Sequence, residues 1–182
     1  LFNEEEKADR RYVREAAIET DFALMIPDHY VSDIPERISL YRELDDLDKA
    51  ADLTHFKARL EDRFGPLPQE TEDLIETIRL RWLAEYLGME KIVLKGEKLI
   101  AAFIADEESL FFQGPTFARI LNYLKLHARD TKMYQRNNAL RMSIENITSP
   151  LAALRVLEDI AGMRAEEAAP DYKAPETKRH AE

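Results

Sequence analysis

Carboxylates that follow one predicted strand are the first candidates for chemistry in this 182-residue chain. Phe103-Ile104-Ala105-Asp106-Glu107-Glu108 has the form of a nucleotide-hydrolase strand end, where a carboxylate would hold Mg²⁺. Such a site also needs a glycine-rich phosphate loop. The chain has only five glycines, and none of them gives the required spacing before Lys-Ser or Lys-Thr. The sequence therefore favours a solvated strand end over ATP hydrolysis.

The histidines show no pattern of a metal site or a catalytic centre. They are His29, His55, His127 and His180. No two of them lie four residues apart, as a helical zinc site would require. The chain has no cysteine, which excludes disulfides and thiolate metal sites. We therefore predict no catalytic residue, no metal ligand and no cofactor, and expect that this chain is not itself an enzyme.

Three charged residues near the end of an amphipathic helix are the best-defined candidates for a binding surface. The apolar face of that helix consists of Leu53, Phe56, Leu60 and Phe64. Arg59, Asp62 and Arg63 lie off this face at positions i, i+3 and i+4, so they share one patch of surface. Two interpretations fit equally: an Arg59–Asp62 ion pair within the helix, or a charged docking surface for another domain.

A glycine and two prolines determine how this helix meets the next one. Gly65 is expected to end the helix in the left-handed conformation, and Pro66 prevents its continuation. A second helix begins at or near Pro68, whose fixed φ suits a first helical turn. The turn fixes the meeting of the two helices and leaves Asp62 and Arg63 outside the apolar stripe.

A second set of cations lies around the end of the following helix. Arg79, Arg81 and Lys91, together with Arg59 and Arg63, could contact a phosphate backbone. The alternative is ion pairing with nearby acids, among them Glu61, Asp62, Glu72 and Asp73. We prefer ion pairing, because cations near a helix C-terminus also offset the helix dipole without any partner.

Overall composition argues for a basic partner rather than for nucleic acid. The formal net charge is −10, whereas neutralising phosphates needs clustered Lys and Arg, so direct nucleic-acid binding is not expected beyond a local basic patch. The longest apolar run, Leu99 to Ala105, is far shorter than the roughly 20 residues of a membrane span. No membrane association is predicted, and we expect a cytoplasmic location.

Hydrophobic periodicity predicts an α+β fold. Helices are expected at about 35–46, 49–64 and 68–87, packed with a small antiparallel sheet. Two β-hairpins at about 91–104 and 131–145 build that sheet, and each is followed by a helix. A further short strand is predicted where Phe22, Leu24 and Ile26 alternate with other residues.

Composition divides the chain into three parts. Residues 1–18 are charge-dense and are expected to form a linker or a frayed helix. Residues 19–163 are predicted to form a single α+β domain. Residues 164–182 contain Tyr172 as their only large apolar side chain, so a flexible tail is expected there.

Five ordered segments carry a family resemblance. They are Ile26-Pro27-Asp28-His29-Tyr30-Val31, Glu36-Arg37-Ile38-Ser39-Leu40-Tyr41, Leu60-Glu61-Asp62-Arg63-Phe64-Gly65-Pro66-Leu67-Pro68, Ile78-Arg79-Leu80-Arg81 and Leu87-Gly88-Met89-Glu90-Lys91-Ile92. From about Asp21 to Gly162 the chain resembles the C-terminal domain of the bacterial transcription-repair coupling factor. That family is an ATP-driven DNA translocase that removes stalled RNA polymerase.

The resemblance implies a domain with no activity of its own, placed after a helicase-like motor. In the family, this domain docks on an N-terminal module resembling the excision-repair helicase UvrB and masks the surface that recruits the ATPase UvrA. Engagement of RNA polymerase would release it, so UvrA and polymerase are indirect partners. The docking positions fall on Asp62 and Arg63, while Arg59 stands where many relatives carry an acid.

The sequence thus predicts an autoinhibitory module of transcription-coupled nucleotide excision repair. The alternative is an accessory domain that contacts DNA and assists the motor. Salt-dependent DNA binding would separate the two, because phosphate contacts give a steep dependence on salt.

Overall fold

The computed structural model describes residues 12–170. The helices and strands of this part of the chain are β1 Ala17–Thr20, α1 Ile34–Asp45, α2 Ala50–Phe64, α3 Gln69–Tyr86, β2 Met89–Lys95, β3 Lys98–Phe103, α4 Pro115–Leu126, β4 Thr131–Arg136, β5 Ala139–Glu145 and α5 Pro150–Ala161. Two 3₁₀ turns lie at Leu110–Gln113 and Ala165–Ala168. The predicted α+β class is confirmed, as are the three N-terminal helices and the two hairpins, each followed by a helix.

The strands form one five-stranded sheet in the order β1-β2-β3-β5-β4. All neighbours are antiparallel except β1 and β2, which run parallel. Both hairpins turn through two residues with positive φ: Gly96 and Glu97 at 57° and 56°, and Asn137 and Asn138 at 53° and 59°. This is the geometry of tight hairpin turns that match the strand twist.

The prediction of a strand across Phe22–Ile26 is wrong, because the first strand lies at Ala17–Thr20, across the expected boundary between linker and domain. Ala17–Thr20 pairs with β2 residues more than seventy positions away. Ile26 is instead anchored individually: it is 2% exposed, and its N–H donates to the Tyr41 hydroxyl at 2.6 Å. The alternating apolar pattern therefore reflects anchoring on helices rather than strand pairing.

Helix α3 separates two apolar cores. Its residues in the sheet core are Leu80, Leu83 and Ala84, which together with the following Leu87 pack against Ile92, Ala101, Met142, Leu154 and Leu157. Its residues in the helical core are Ile75, Ile78 and Trp82, which pack with buried side chains of α1 and α2. The helix thus lies between the α1–α2 pair and the sheet, and it joins them.

Helix α1 turns Leu40 and Leu44 into the core and leaves Ile38 46% exposed. Two polar contacts fix the rotation: Arg37 donates to the Val31 carbonyl at 2.8 Å, and the Tyr41 hydroxyl accepts from Ile26. Apolar spacing alone could not reveal these contacts.

Packed residues extend past both predicted ends of the domain. Val13 and Ala16 are buried, and the Ala16 N–H donates to the buried Glu85 carboxylate at 3.2 Å. Ala165 and Ala168 are buried where the tail was expected to start. Residues 1–11 and 171–182, including Tyr172, lie outside the described residues. Within residues 12–170, no helix is long and apolar enough to cross a membrane.

Gly88 combines a strained backbone position with close packing. Its φ is +69°, and a Cβ atom there would lie 2.6 Å from the ring of buried Phe111. We expect Gly88→Ala to lower the free energy of unfolding by roughly 2–4 kcal/mol, adding left-handed strain to overpacking. Gly96→Ala is the matched control, because its φ is +57° and its site is open. Equal losses of stability in urea denaturation would contradict the packing contribution.

Glu19 links β1 to β2 by ion pairs. Its carboxylate lies 2.8 Å from Lys91 Nζ and 2.6 Å from Lys95 Nζ. Hydrogen bonds from these lysines lower the pKa of Glu19 from 4.5 to about 2. Because the folded-state pKa is depressed, this contribution to stability is complete above about pH 4.5 and is lost as pH falls through about 2.

A carboxyl-carbon NMR titration can measure this coupling. We expect a midpoint near 2 in the wild type and a midpoint close to 4.5 in a Lys91→Gln/Lys95→Gln variant. An unchanged midpoint in that variant would show that the lysines are not the cause.

Candidate interdomain-binding surface

Helix α2 presents its predicted charged patch to solvent. Its apolar face is sealed into the helical core, with Leu53, Phe56 and Leu60 at 1%, 1% and 2% exposure. Arg59, Asp62 and Arg63 are all exposed on the last two turns. The structure therefore brings the three predicted residues together on one outward surface, which we call the α2 patch.

Both arginines of the α2 patch pair with acids of helix α1. Arg59 contacts Glu43, and Arg63 contacts Glu36. Each guanidinium also lies over an aromatic ring, Arg59 at 5.8 Å from the Phe56 centroid and Arg63 at 4.8 Å from that of Phe64. Since the side chains remain 58% and 57% exposed, water screens these ion pairs. They orient the arginines more than they stabilise the fold.

Asp62 is left as the uncompensated charge of the α2 patch. The Arg59–Asp62 ion pair, one of the two interpretations that the sequence left open, does not form, because Arg59 is directed across to α1. Within the described residues, Asp62 makes neither a hydrogen bond nor an ion pair. The surface therefore offers one carboxylate between two arginines that are already neutralised.

The corner after α2 is held by Tyr30. Gly65 has φ 87° and ψ −167°, which differs from the predicted left-handed helical conformation and is a region open almost only to glycine. The Tyr30 hydroxyl donates to the Gly65 carbonyl at 2.7 Å and lies 3.1 Å from the Leu60 carbonyl. Burial, assisted by Glu61, raises the pKa of Tyr30. The end of α2 that carries the α2 patch is thus tied to the loop before α1.

Two cations of the second set pair with acids, although not with those expected, and Arg81 forms no ion pair with a described residue. Arg79 contacts Glu76 at 3.1 Å and Glu166 at 3.2 Å, and Lys91 contacts Glu19. These positions give no support to phosphate binding.

The carboxylates after β3 lie in an exposed loop, where Asp106 accepts the Glu108 N–H at 3.1 Å. Between residues 12 and 170, no group of three or more potential ligands could hold a metal ion.

Sequence reasoning missed Glu36 and Glu43 as partners of the patch. Their seven-residue spacing places them on one face of α1, and the arginines repeat every four residues on α2. Two such rows face each other when antiparallel helices pack through a short connection. The signal was present, but it becomes readable only once the helix pairing is known.

Comparison with known proteins agrees with this architecture. The family model described as "TRCF domain" matches residues 20–113, more than half of the chain. The transcription-repair-coupling factor of Rickettsia typhi is 28% identical over 120 residues, covering 66% of this chain and 10% of the relative. That of Haemophilus influenzae is 35% identical over 79 residues, covering 43% of this chain and 7% of the relative. The chain thus spans about a tenth of the curated relatives it matches.

A solved structure shares the fold. It is the crystal structure of the C-terminal domain of a transcription-repair coupling factor, with a TM-score of 0.61, 16% identity, and coverage of 81% of this chain and 96% of that chain. At this identity the match concerns the fold alone. Together with the family model, it shows that the chain belongs to the TRCF domain family and is built like the C-terminal domain of a transcription-repair coupling factor.

Proposed function

We propose that this chain is a non-catalytic regulatory domain of a transcription-repair coupling translocase. In the closed parent protein, it docks through the α2 patch on a UvrB-like N-terminal module. Docking covers the surface that recruits UvrA, and engagement of RNA polymerase by the motor releases it. Membership of the TRCF domain family supports the parent, and the exposed α2 patch supports the docking surface.

The single observation that carries this proposal is the isolated charge of Asp62. A carboxylate flanked by two compensated arginines presents a negative charge with a defined position, because α1 holds both arginines by ion pairs. The partner surface should therefore place a cation opposite Asp62. Water is excluded when the surfaces meet, so that contact becomes stronger than any exposed ion pair.

The regulation follows from a two-state equilibrium. UvrA binds only the open state, so its apparent affinity is reduced by the fraction of molecules that are open. Reversing a charge buried at the interface costs about 2 kcal/mol or more. That cost lowers the ratio of closed to open molecules by more than about tenfold.

We expect Asp62→Arg in the intact parent protein to raise the apparent affinity for UvrA by about tenfold or more, because it opposes the partner's cation. The measurement is titration of immobilised parent protein with UvrA. Wild type and Asp62→Arg binding UvrA equally would contradict the proposal.

Glu61→Arg is the matched control for this experiment. Glu61 precedes Asp62 and is also exposed, but it lies two residues from both Arg59 and Arg63 and therefore about 160° around the helix from each of them. The charge change is identical, so the control should leave UvrA affinity within about twofold of the wild type, as expected for a surface substitution away from the interface. An equal gain in both variants would assign the effect to net charge instead of to the α2 patch.

A further inference from the structure

One face of the sheet is covered by no helix of the described part of the chain. Helices α3, α4 and α5 pack on the side that holds Ile92, Ala101 and Met142. The opposite side carries the half-buried residues Val93, Ile100, Ala102 and Tyr134. None of these four belongs to either apolar core or packs against one. Within residues 12–170, this second face is therefore open.

Cations on the open face differ in how they are compensated. On the β1–β3 half, Lys91 and Lys95 share Glu19, and Lys98 pairs with Glu145 at 2.9 Å. On the β4–β5 half, the cations are Lys132, Arg136 and Arg141. Among the described carboxylates, none forms an ion pair with these three. Positive charge is therefore uncompensated on one half only.

The strand register places these cations around an aromatic ring. Tyr134 lies directly opposite Arg141 across the β4–β5 pair, and both point to the open face. Lys132 and Arg136 lie two residues before and after Tyr134 on the same strand, so they share that face. The strand rise sets the two about 13 Å apart. We call Lys132, Tyr134, Arg136 and Arg141 the β4–β5 basic face.

The surrounding sequence strengthens the local charge. Between residues 125 and 144 the chain has five basic residues and one acid, Asp130, although its net charge is −10. The basic residues of this segment are Lys125, Arg129, Lys132, Arg136 and Arg141. A polyanion is therefore attracted to this hairpin and repelled from most of the remaining surface.

We propose that the β4–β5 basic face binds a single-stranded polynucleotide. Lys132, Arg136 and Arg141 contact phosphates, and a base stacks on Tyr134. The occupant is a single strand, because stacking on a protein ring needs the face of an unpaired base, which a duplex keeps buried. A sheet face with cations around a half-buried aromatic ring suits an extended strand. This surface is separate from the α2 patch, so it does not depend on the docking proposal.

The test is fluorescence anisotropy of the 182-residue chain with labelled dT20. We expect Lys132→Gln/Arg136→Gln to weaken binding at least tenfold at about 0.1 M salt. The slope of log K against log salt should fall by about 1.4, which is roughly 0.7 for each lost phosphate contact. Both residues are exposed, so the variant should fold normally.

Lys91→Gln/Lys95→Gln is the matched control. It removes the same charge from the same sheet face, but from lysines already paired with Glu19. Three strand spacings, about 14 Å, separate β2 from β4, which exceeds the Debye length of about 10 Å at 0.1 M salt. We expect this control to bind dT20 within about twofold of the wild type.

Tyr134→Leu isolates the stacking contact. It should weaken dT20 binding while leaving the salt slope unchanged, because no phosphate contact is lost.

Three results would overturn the proposal: no binding of dT20 by the wild type, equal affinity for a duplex of the same length, or equal losses in the two double-glutamine variants. A negative result in this experiment would not bear on the effect of Asp62→Arg on UvrA affinity, because the two proposals concern different surfaces.

Discussion

Burial of helix α3 on two sides is the constraint on which the rest of the structure depends. Its apolar residues divide between the sheet core and the helical core, so neither half can shift without exposing the other. Its buried polar groups are satisfied by the flanking chain: Thr71 donates to the Met25 carbonyl at 2.9 Å, and Glu85 accepts from Ala16. The α2 patch and the open sheet face are therefore displayed on one rigid framework.

Charge on this protein has to be considered locally. In the α2 patch, Arg59 and Arg63 form ion pairs with acids of α1. Among the described residues, Asp62 is therefore the one member of the patch without an ion pair, and its charge is negative. Lys132, Arg136 and Arg141 on β4 and β5 form no ion pair with any described carboxylate. A net charge of −10 describes neither surface. Screening over about 8–10 Å makes the nearest partners decisive and the total almost irrelevant for contact.

Local patterns were sufficient where local forces decide the structure. The 3.6-residue period predicted the N-terminal helices, and the hairpins predicted at about 91–104 and 131–145 contain the turns at Gly96-Glu97 and Asn137-Asn138. Strand β1 was missed because four residues gain their stability from a parallel partner far along the chain. Arg59, Asp62 and Arg63 were predicted to share one patch of surface, and they do, but the pairing of the arginines with α1 was not predicted. Which acid forms an ion pair with Arg59 depends on how α1 and α2 pack, and the sequence of one helix does not determine that packing.

The ion pairs between α1 and α2 also change the electrostatic effect of Arg59 on this surface. As an isolated cation beside Asp62, it would cancel that carboxylate and weaken any docking surface built on it. Directed to Glu43, it leaves Asp62 free and becomes nearly neutral to an approaching partner. An acid at this position, as the family resemblance implies for many relatives, would repel Glu43 and add a second negative charge to the surface. In the proposed docking, the pairing of Arg59 with Glu43 therefore leaves Asp62 as the residue of the α2 patch that a cation of the partner would meet.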